Sequence, residues 1–270
     1  HNDTVNKVCP ILFLIIRLNS TVKAVVLSTA LTAVFGLSFA FGQTNYSLSF
    51  DGVDDYAEAG SNVDLRNNPF SIEVWYKSPT IVIPHATNIV DNYGTSESGS
   101  PNSWTLHIGG ATYGADAGKA IFTTNSGGTL YSSSRIDNEI WHHISIERYN
   151  DESIKMFVDG VLNAEGTLAL TAEIYSGFNL LIGSRHYQRF HECNISEIMI
   201  SKQNTYFDSF SPPGSFITNS NTVLHLQMNE GSGTTLDDQS SYNNDGTIYG
   251  ATWSDDVPSI GLLAELAVGT

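Results

Sequence analysis

The chain has 270 residues, with 12 lysines and arginines against 28 aspartates and glutamates, a formal net charge of −16. That balance argues against nucleic acid as a ligand, because affinity for phosphates comes from cationic side chains. The length suits one large core, since β-sandwiches of roughly 200–250 residues commonly form a single domain.

Residues 24–41 are the uncharged run AVVLSTALTAVFGLSFAF, preceded by Lys23 and closed by the small residues Ala40 and Gly42 around Phe41. Charge, length and small residues read as a secretory signal with Gln43 as the first mature residue. The competing reading is an uncleaved membrane anchor, because the run approaches the length that spans a bilayer. The expected division is 1–42 as upstream residues and signal segment, 43–257 as the domain, and 258–270 as the start of a linker or a truncated tail. Cleavage would remove Lys7, Arg17, Lys23 and Asp3, leaving 9 basic residues against 27 acidic ones, or −18. A secreted or cell-surface protein with no membrane span after signal cleavage is the expectation. Of the two cysteines, Cys9 goes with the signal, and Cys193 reads as a small buried hydrophobe, so no internal disulfide is expected. A domain this large can bury enough apolar surface without one.

From Tyr46 onward, short apolar alternation is punctuated by Gly, Asn, Asp and Ser, with no sustained 3.6-residue period, which predicts an all-β chain. Leu48, Phe50, Phe70, Ile72 and Val74 are expected to point inward from two early strands. Strands are predicted at 104–108, 119–124 and 129–132, joined by GGATYGADAG and NSGG, which read as Gly-rich hairpin turns. A meander follows over 141–148, 153–158 and 161–165, with Asp159 and Gly160 as its hairpin signal. Further strands are predicted at 180–183, 195–201 and 223–228. Pro212, Pro213 and Gly214 mark a long surface connection, and the strand from Tyr46 is expected to pair with the one around 246–249.

The order of these phrases carries a resemblance. FDGVDDY at 50–56, FSIEVW at 70–75, WHH at 141–143, FVDG at 157–160, IG at 182–183 and ISEI at 195–198 resemble, in sequence, the motifs of the laminin-G-like jelly roll. That jelly roll belongs to the concanavalin A-like lectin/glucanase superfamily. NEGSG at 229–233, with Asp238, Asn244, Gly246 and Trp253, resembles the family's closing stretch. The resemblance implies a two-sheet antiparallel jelly-roll sandwich with its first and last strands side by side, and a lectin-like role on glycans or surfaces. The sequence departs from the family at His191, Glu192, Cys193 and Asn194, where a Gly is usual, and at Ser196, where an Asp is usual.

The glucanases of that fold carry alternating carboxylates in an E-x-D-x-x-E strand, and no such strand is present. Nor is there a Ser nucleophile elbow, a zinc-spaced His and Cys set or a phosphate-cradling Gly loop, so the chain is read as non-catalytic. His142 and His143 are adjacent on a strand, so they face opposite sides and cannot form one site. Calcium takes hard oxygens, and Asp51, Asp54, Asp55 and Asp238 are its candidate ligands; the alternative is that these residues simply stabilise turns. For a sugar, which needs aromatic platforms and planar polar groups, the candidates are Tyr93, Trp104, Tyr113, Arg185, His186 and Tyr187. The expected function is a non-catalytic carbohydrate-binding module attaching a cell or larger protein to polysaccharide. A surface module that binds protein, in adhesion or structure, and a glycoside hydrolase of the same fold are the alternatives.

Overall fold

The computed structural model describes residues 46–92 and 103–259, apart from 126, 173, 175, 176, 186 and 188. They belong to a compact unit, Gly42–Thr270. The signal or anchor expected at 1–42 lies outside the described residues, as does most of the tail expected at 258–270. Among the described residues no helix is long and apolar enough to cross a membrane.

The fold is all-β: two antiparallel sheets of eight strands, numbered here along the chain. Sheet A runs in the order β10 (Val161–Thr167), β9 (Ser153–Val158), β8 (His142–Arg148), β3 (Phe70–Lys77), β12 (Glu192–Ser201), β1 (Ser47–Asp51) and β16 (Thr252–Ser254). Its eighth strand, β13 (Thr222–Leu226), pairs with the second half of β12. Sheet B runs β14 (Thr235–Leu236), β15 (Gly246–Tyr249), β2 (Tyr56–Ala59), β11 (Leu180–Ile182), β4 (Thr87–Asp91), β5 (Trp104–Ile108), β6 (Lys119–Thr124) and β7 (Thr129–Arg135). The long jumps between neighbours in each sheet give the crossovers of a jelly roll.

The first and last strands do lie side by side, with Leu48 opposite Trp253. The strand at 246–249 pairs instead with β2 in the other sheet, Ile248 opposite Ala57, which corrects the expected pairing. Residues 52–55 form a turn that carries the chain from sheet A to sheet B, so β1 and β2 take their partners from different layers. One stretch read as a hairpin turn, 109–118, contains instead a short 3-10 segment at Ala111–Asp116.

Alternation places Leu48, Phe50, Ile72, Val74, Ile144, Ile146, Ile198 and Ile200 of sheet A in one core with Ala57, Val90, Leu106, Phe122 and Leu180 of sheet B. Arg148 closes the end of this core. Its guanidinium is buried above the Phe70 ring, 4.7 Å from the centroid. It donates hydrogen bonds to the carbonyls of Leu65, Asn68 and Ala169, tying two loops to β8. Replacing it leaves buried carbonyls without donors, so Arg148→Met is expected to lower stability by about 3 kcal/mol in urea titration. A loss of less than about 0.5 kcal/mol, the range of an ordinary surface change, would show that the loops are held by other contacts.

Candidate ligand-binding face and acidic turn

Side chains that sheet B turns away from the core form two rows across its outer face. In the first, Thr247 stands opposite Glu58, Glu58 opposite Leu181, Leu181 opposite Asp91, Asp91 opposite Thr105, and Thr105 opposite Thr123. In the second, Tyr249 stands opposite Tyr56 at one end, while Asn88, His107, Ile121 and Tyr131 succeed one another at the other. Neighbouring positions in a row are separated by the inter-strand spacing of about 4.8 Å. The middle of the face is buried, and among the described residues the side chain of Asn88, Thr105 Oγ1, His107 Nδ1 and Ser184 Oγ have no hydrogen-bond partner.

Tyrosines mark the margins of this face. Tyr56 and Tyr249 stack with centroids 4.6 Å apart, and Tyr187 meets Tyr56 edge-on at 5.2 Å. Tyr187 adopts φ +58° and donates its hydroxyl to Glu58 Oε1 at 2.8 Å, where Asn179 Nδ2 also donates at 2.9 Å. Burial raises the Tyr187 phenol far above its ordinary range, and Glu58 adds to the shift. Tyr113, on the 3-10 segment, sets its ring 6.4 Å from His107. Arg185 lies near enough for its charge to act on His107.

The sequence-derived candidates therefore separate. Arg185, Tyr113 and Tyr187 stand around sheet B's outer face. Trp104 does not: it is fully buried against Phe122, because its parity along β5 is that of Leu106 and Ile108. It offers no surface to a sugar. Tyr93 and His186 lie outside the described residues. Thr105 and His107, the neighbours that the same alternation turns outward, were missed, although the period-two rule applied to 104–108 pointed to them. Asn88 and Glu58 were missed because β4 and β2 were not recognised as strands.

At the edge of the sandwich, the turn between β1 and β2 gathers carboxylate oxygens of Asp51, Asp54 and Asp55 within 4.8 Å of one another. Asp51 Oδ1 accepts from the Val53 amide at 2.8 Å, and Asp55 Oδ2 accepts from the Asp51 amide at 2.9 Å, as short polar side chains do in tight turns. Two glycines make the crowding feasible. A Cβ on Gly52, at φ +76°, would stand 2.8 Å from the Glu192 amide, and one on Gly250, at φ +85°, would stand 2.0 Å from Asp55 Oδ1. Burial raises the Asp55 carboxyl above its ordinary value, with the charges of Asp51 and Asp54 adding to it. These oxygens fit a hard cation such as calcium, supplying part of its six to eight ligands. Beside the turn, Asp51 and Gly52 help to line a groove of about 130 Å³ with Ile81, Val82, Phe190 and His191.

Asp238 is not part of this cluster. Its Oδ1 accepts from the His225 and Ser240 amides, and its Oδ2 from the Ser240 hydroxyl and the Asn244 amide, at 2.6–2.9 Å. With both oxygens engaged, it organises the closing loop and has no place in a shared metal site with Asp54.

A sequence profile described as the concanavalin A-like lectin/glucanases superfamily matches residues 51–204. The chain belongs to that superfamily. No curated protein sequence matches the chain. Among solved structures, a candidate carbohydrate-binding protein of Bacteroides ovatus is similar with a TM-score of 0.62 at 15% identity, over 81% of this chain and 62% of that one. The chain therefore spans less than two thirds of that protein's length. The CBM40 of a Ruminococcus gnavus IT-sialidase, at 12% identity over 61% of this chain and 95% of that one, has a TM-score of 0.43. Domains LG4-5 of the mouse laminin alpha1 chain, at 14% identity over 63% and 45%, have a TM-score of 0.43.

Within this member of the superfamily, two buried imidazoles border the candidate surfaces. Burial lowers both His107 and His191 to about 3, the charge of Arg185 adding at His107. Unfolded imidazoles protonate near 6.5, so between about pH 6.5 and 3 the unfolded chain binds more protons than the folded one. The contribution of each to stability therefore falls as pH drops through that window, by up to about 1.4 kcal/mol per pH unit. The loss of stability from about pH 7 to about pH 5 is expected to be smaller in His191→Gln than in the parent, read from urea midpoints. An unchanged difference would mean that His191 takes up its proton in the folded state.

Proposed function

We propose that the chain is a non-catalytic carbohydrate-binding module of the cell exterior, attaching a cell or larger protein to a neutral or weakly charged polysaccharide. The observation that carries this reading is sheet B's outer face. Hydroxyl, amide and carboxylate side chains repeat across it, with Tyr249 and Tyr131 exposed at opposite ends of one row. Sugars present hydroxyls to planar polar groups and apolar faces to aromatic rings, and with the middle of the face buried, Glu58 and Thr247 beside Tyr56 and Tyr249 are its accessible partners of both kinds. The net charge of −16, together with Glu58 and Asp91 on the face, disfavours polyanions. The likeness to the Bacteroides ovatus protein supports the fold on which the reading rests.

The full chain is expected to retain neutral polysaccharides on a glycan array and to return them uncleaved. Tyr249→Ala and Tyr187→Ala are each expected to weaken binding about tenfold, which corresponds to about 1.4 kcal/mol. Unchanged affinity in both variants would remove the face from the reading. Retention of a protein partner with no glycan bound would support the adhesion alternative, and release of reducing ends would support the hydrolase.

Calcium at Asp51, Asp54 and Asp55 belongs to the same proposal, as a clamp on the turn between the sheets. An ion at about one hundred times its dissociation constant adds about 2.7 kcal/mol, raising the melting temperature by roughly 5–10 °C. Asp54→Ala is expected to abolish this rise. Asp238→Ala is expected to keep the rise while lowering the starting melting temperature, because it unfastens the closing loop. Identical melting in chelator and in calcium would leave the three aspartates as turn residues alone.

A further inference from the structure

The outer face of sheet A is built differently from that of sheet B. Residues 202–221, which contain Pro212 and Pro213, arch over it between β12 and β13. Two buried glutamates fasten the arch. Glu147 on β8 accepts from the Thr205 amide at 2.7 Å, and Glu197 on β12 accepts from the Ser215 hydroxyl and the Phe216 amide at 2.9 and 3.0 Å. His225 Nε2 adds a contact to Glu197 at 2.7 Å. Between these fasteners, on the central strand β3, stands a third glutamate. Glu73 is fully buried, opposite Ser145 on one side and Met199 on the other. Its oxygens make no hydrogen bond of good geometry, the Tyr206 phenol being a neighbouring donor whose pKa is raised by burial and further by the Glu73 carboxyl.

Beneath the arch, Glu73 lines a cavity of about 260 Å³ with Met199, Tyr206, Pro213, Phe216 and Ile217. That volume is several times the roughly 30 Å³ of one liquid water. Its mouth is marked by Ile217, which is 67% exposed. The His143 Nε2 atom stands 3.4 Å from Glu73 Oε2, beyond hydrogen-bond geometry, and neither ring nitrogen has a hydrogen bond. The His143 ring is hemmed in by Trp75, Tyr206, Phe210 and Phe216 at 5.3–6.2 Å. A buried carboxyl met by a phenol and an imidazole in imperfect geometry leaves room for a cation between them, and aromatic walls favour a cation of low hydration.

We propose that this cavity is a binding site for a small organic ammonium ion, with Glu73 as its counter-charge and Tyr206 and Phe216 as its aromatic walls. The chain's acidic excess draws such cations toward it. The site is on the opposite sheet from the proposed glycan face and stands independently of it.

The test titrates the full chain with tetramethylammonium chloride, using sodium chloride as the ionic-strength control and tert-butanol as a neutral analogue of similar shape. Saturable changes in the NMR signals of Tyr206 and Phe216 are expected with tetramethylammonium alone. Glu73→Gln is expected to weaken binding at least about tenfold. Phe216→Leu keeps the carboxylate and the backbone contact to Glu197 while thinning one wall, so it is expected to weaken binding partially and serves if Glu73→Gln does not fold. No saturable response in the parent would overturn the proposal, as would an equal response to tert-butanol or undiminished binding in both variants. A doubly protonated His143 in the free protein at neutral pH would overturn it too, because Glu73 would already hold its cation.

Discussion

Each strand can send only alternate side chains to the core, so a two-layer sandwich has two outer faces that must be completed separately. This protein completes them by opposite means. Sheet A is roofed by its own chain, the 202–221 segment, and the roof is fastened through Glu147 and Glu197. Sheet B carries a field of hydroxyl, amide and carboxylate side chains bounded by tyrosines. The shared core tolerates this because it draws only on the inward positions of both sheets.

Buried carboxylates are the costly element of this plan, and the chain meets the cost with backbone amides wherever a loop can supply them. Half-buried Asp238 receives three amide donors and one hydroxyl, and fully buried Glu197 receives an amide, a hydroxyl and an imidazole. Hydrogen bonds from donors to an ionised acceptor are roughly twice as strong as neutral ones, so each such residue fixes the segment that supplies them. Burial nevertheless raises the Glu147 carboxyl well above its ordinary value, with the charge of Glu73 adding to it, even though Ser145, Thr205 and Tyr206 donate to it. The same chemistry makes Asp238 a fastener and leaves Asp51, Asp54 and Asp55, which gather in a turn with fewer donors, as the group suited to a cation.

The fold was legible wherever local pattern and turn chemistry coincided. The alternation of 104–108, 119–124 and 153–158 matches the observed strands residue for residue, and Asp159 and Gly160 do turn β9 into β10. Short strands without a full apolar period were invisible. β2 is only Tyr56–Ala59, β14 only Thr235–Leu236, and β4 reads as a polar Thr-Asn pair followed by two aliphatics and an Asp. Their pairing is decided by partners remote in sequence, which is why 246–249 joined β2 and not β1. For the site, loop composition led to Tyr187 and Arg185, but treating Trp104 as an exposed aromatic ignored the inward parity of its own strand. The carboxylates of Asp54 and Asp238 looked equivalent in sequence, since nothing local shows that Asn244 and His225 return their amides to Asp238.

The acidic turn shows why crowding can persist in a fold that would be more comfortable without it. The turn cannot relax by moving outward as a unit, because Gly52 is pressed against the backbone of Glu192 and Gly250 against Asp55. Each contact is close enough to exclude even a methyl group, so the backbone that holds the three aspartates is set by packing between β1, β12 and the turn that joins β15 to β16. Repulsion among the carboxylates is then resisted by the whole sandwich, whereas a flexible loop would spread them apart. A group of oxygens held together in this way loses little conformational freedom when a cation arrives, which is the condition under which binding is least opposed by entropy.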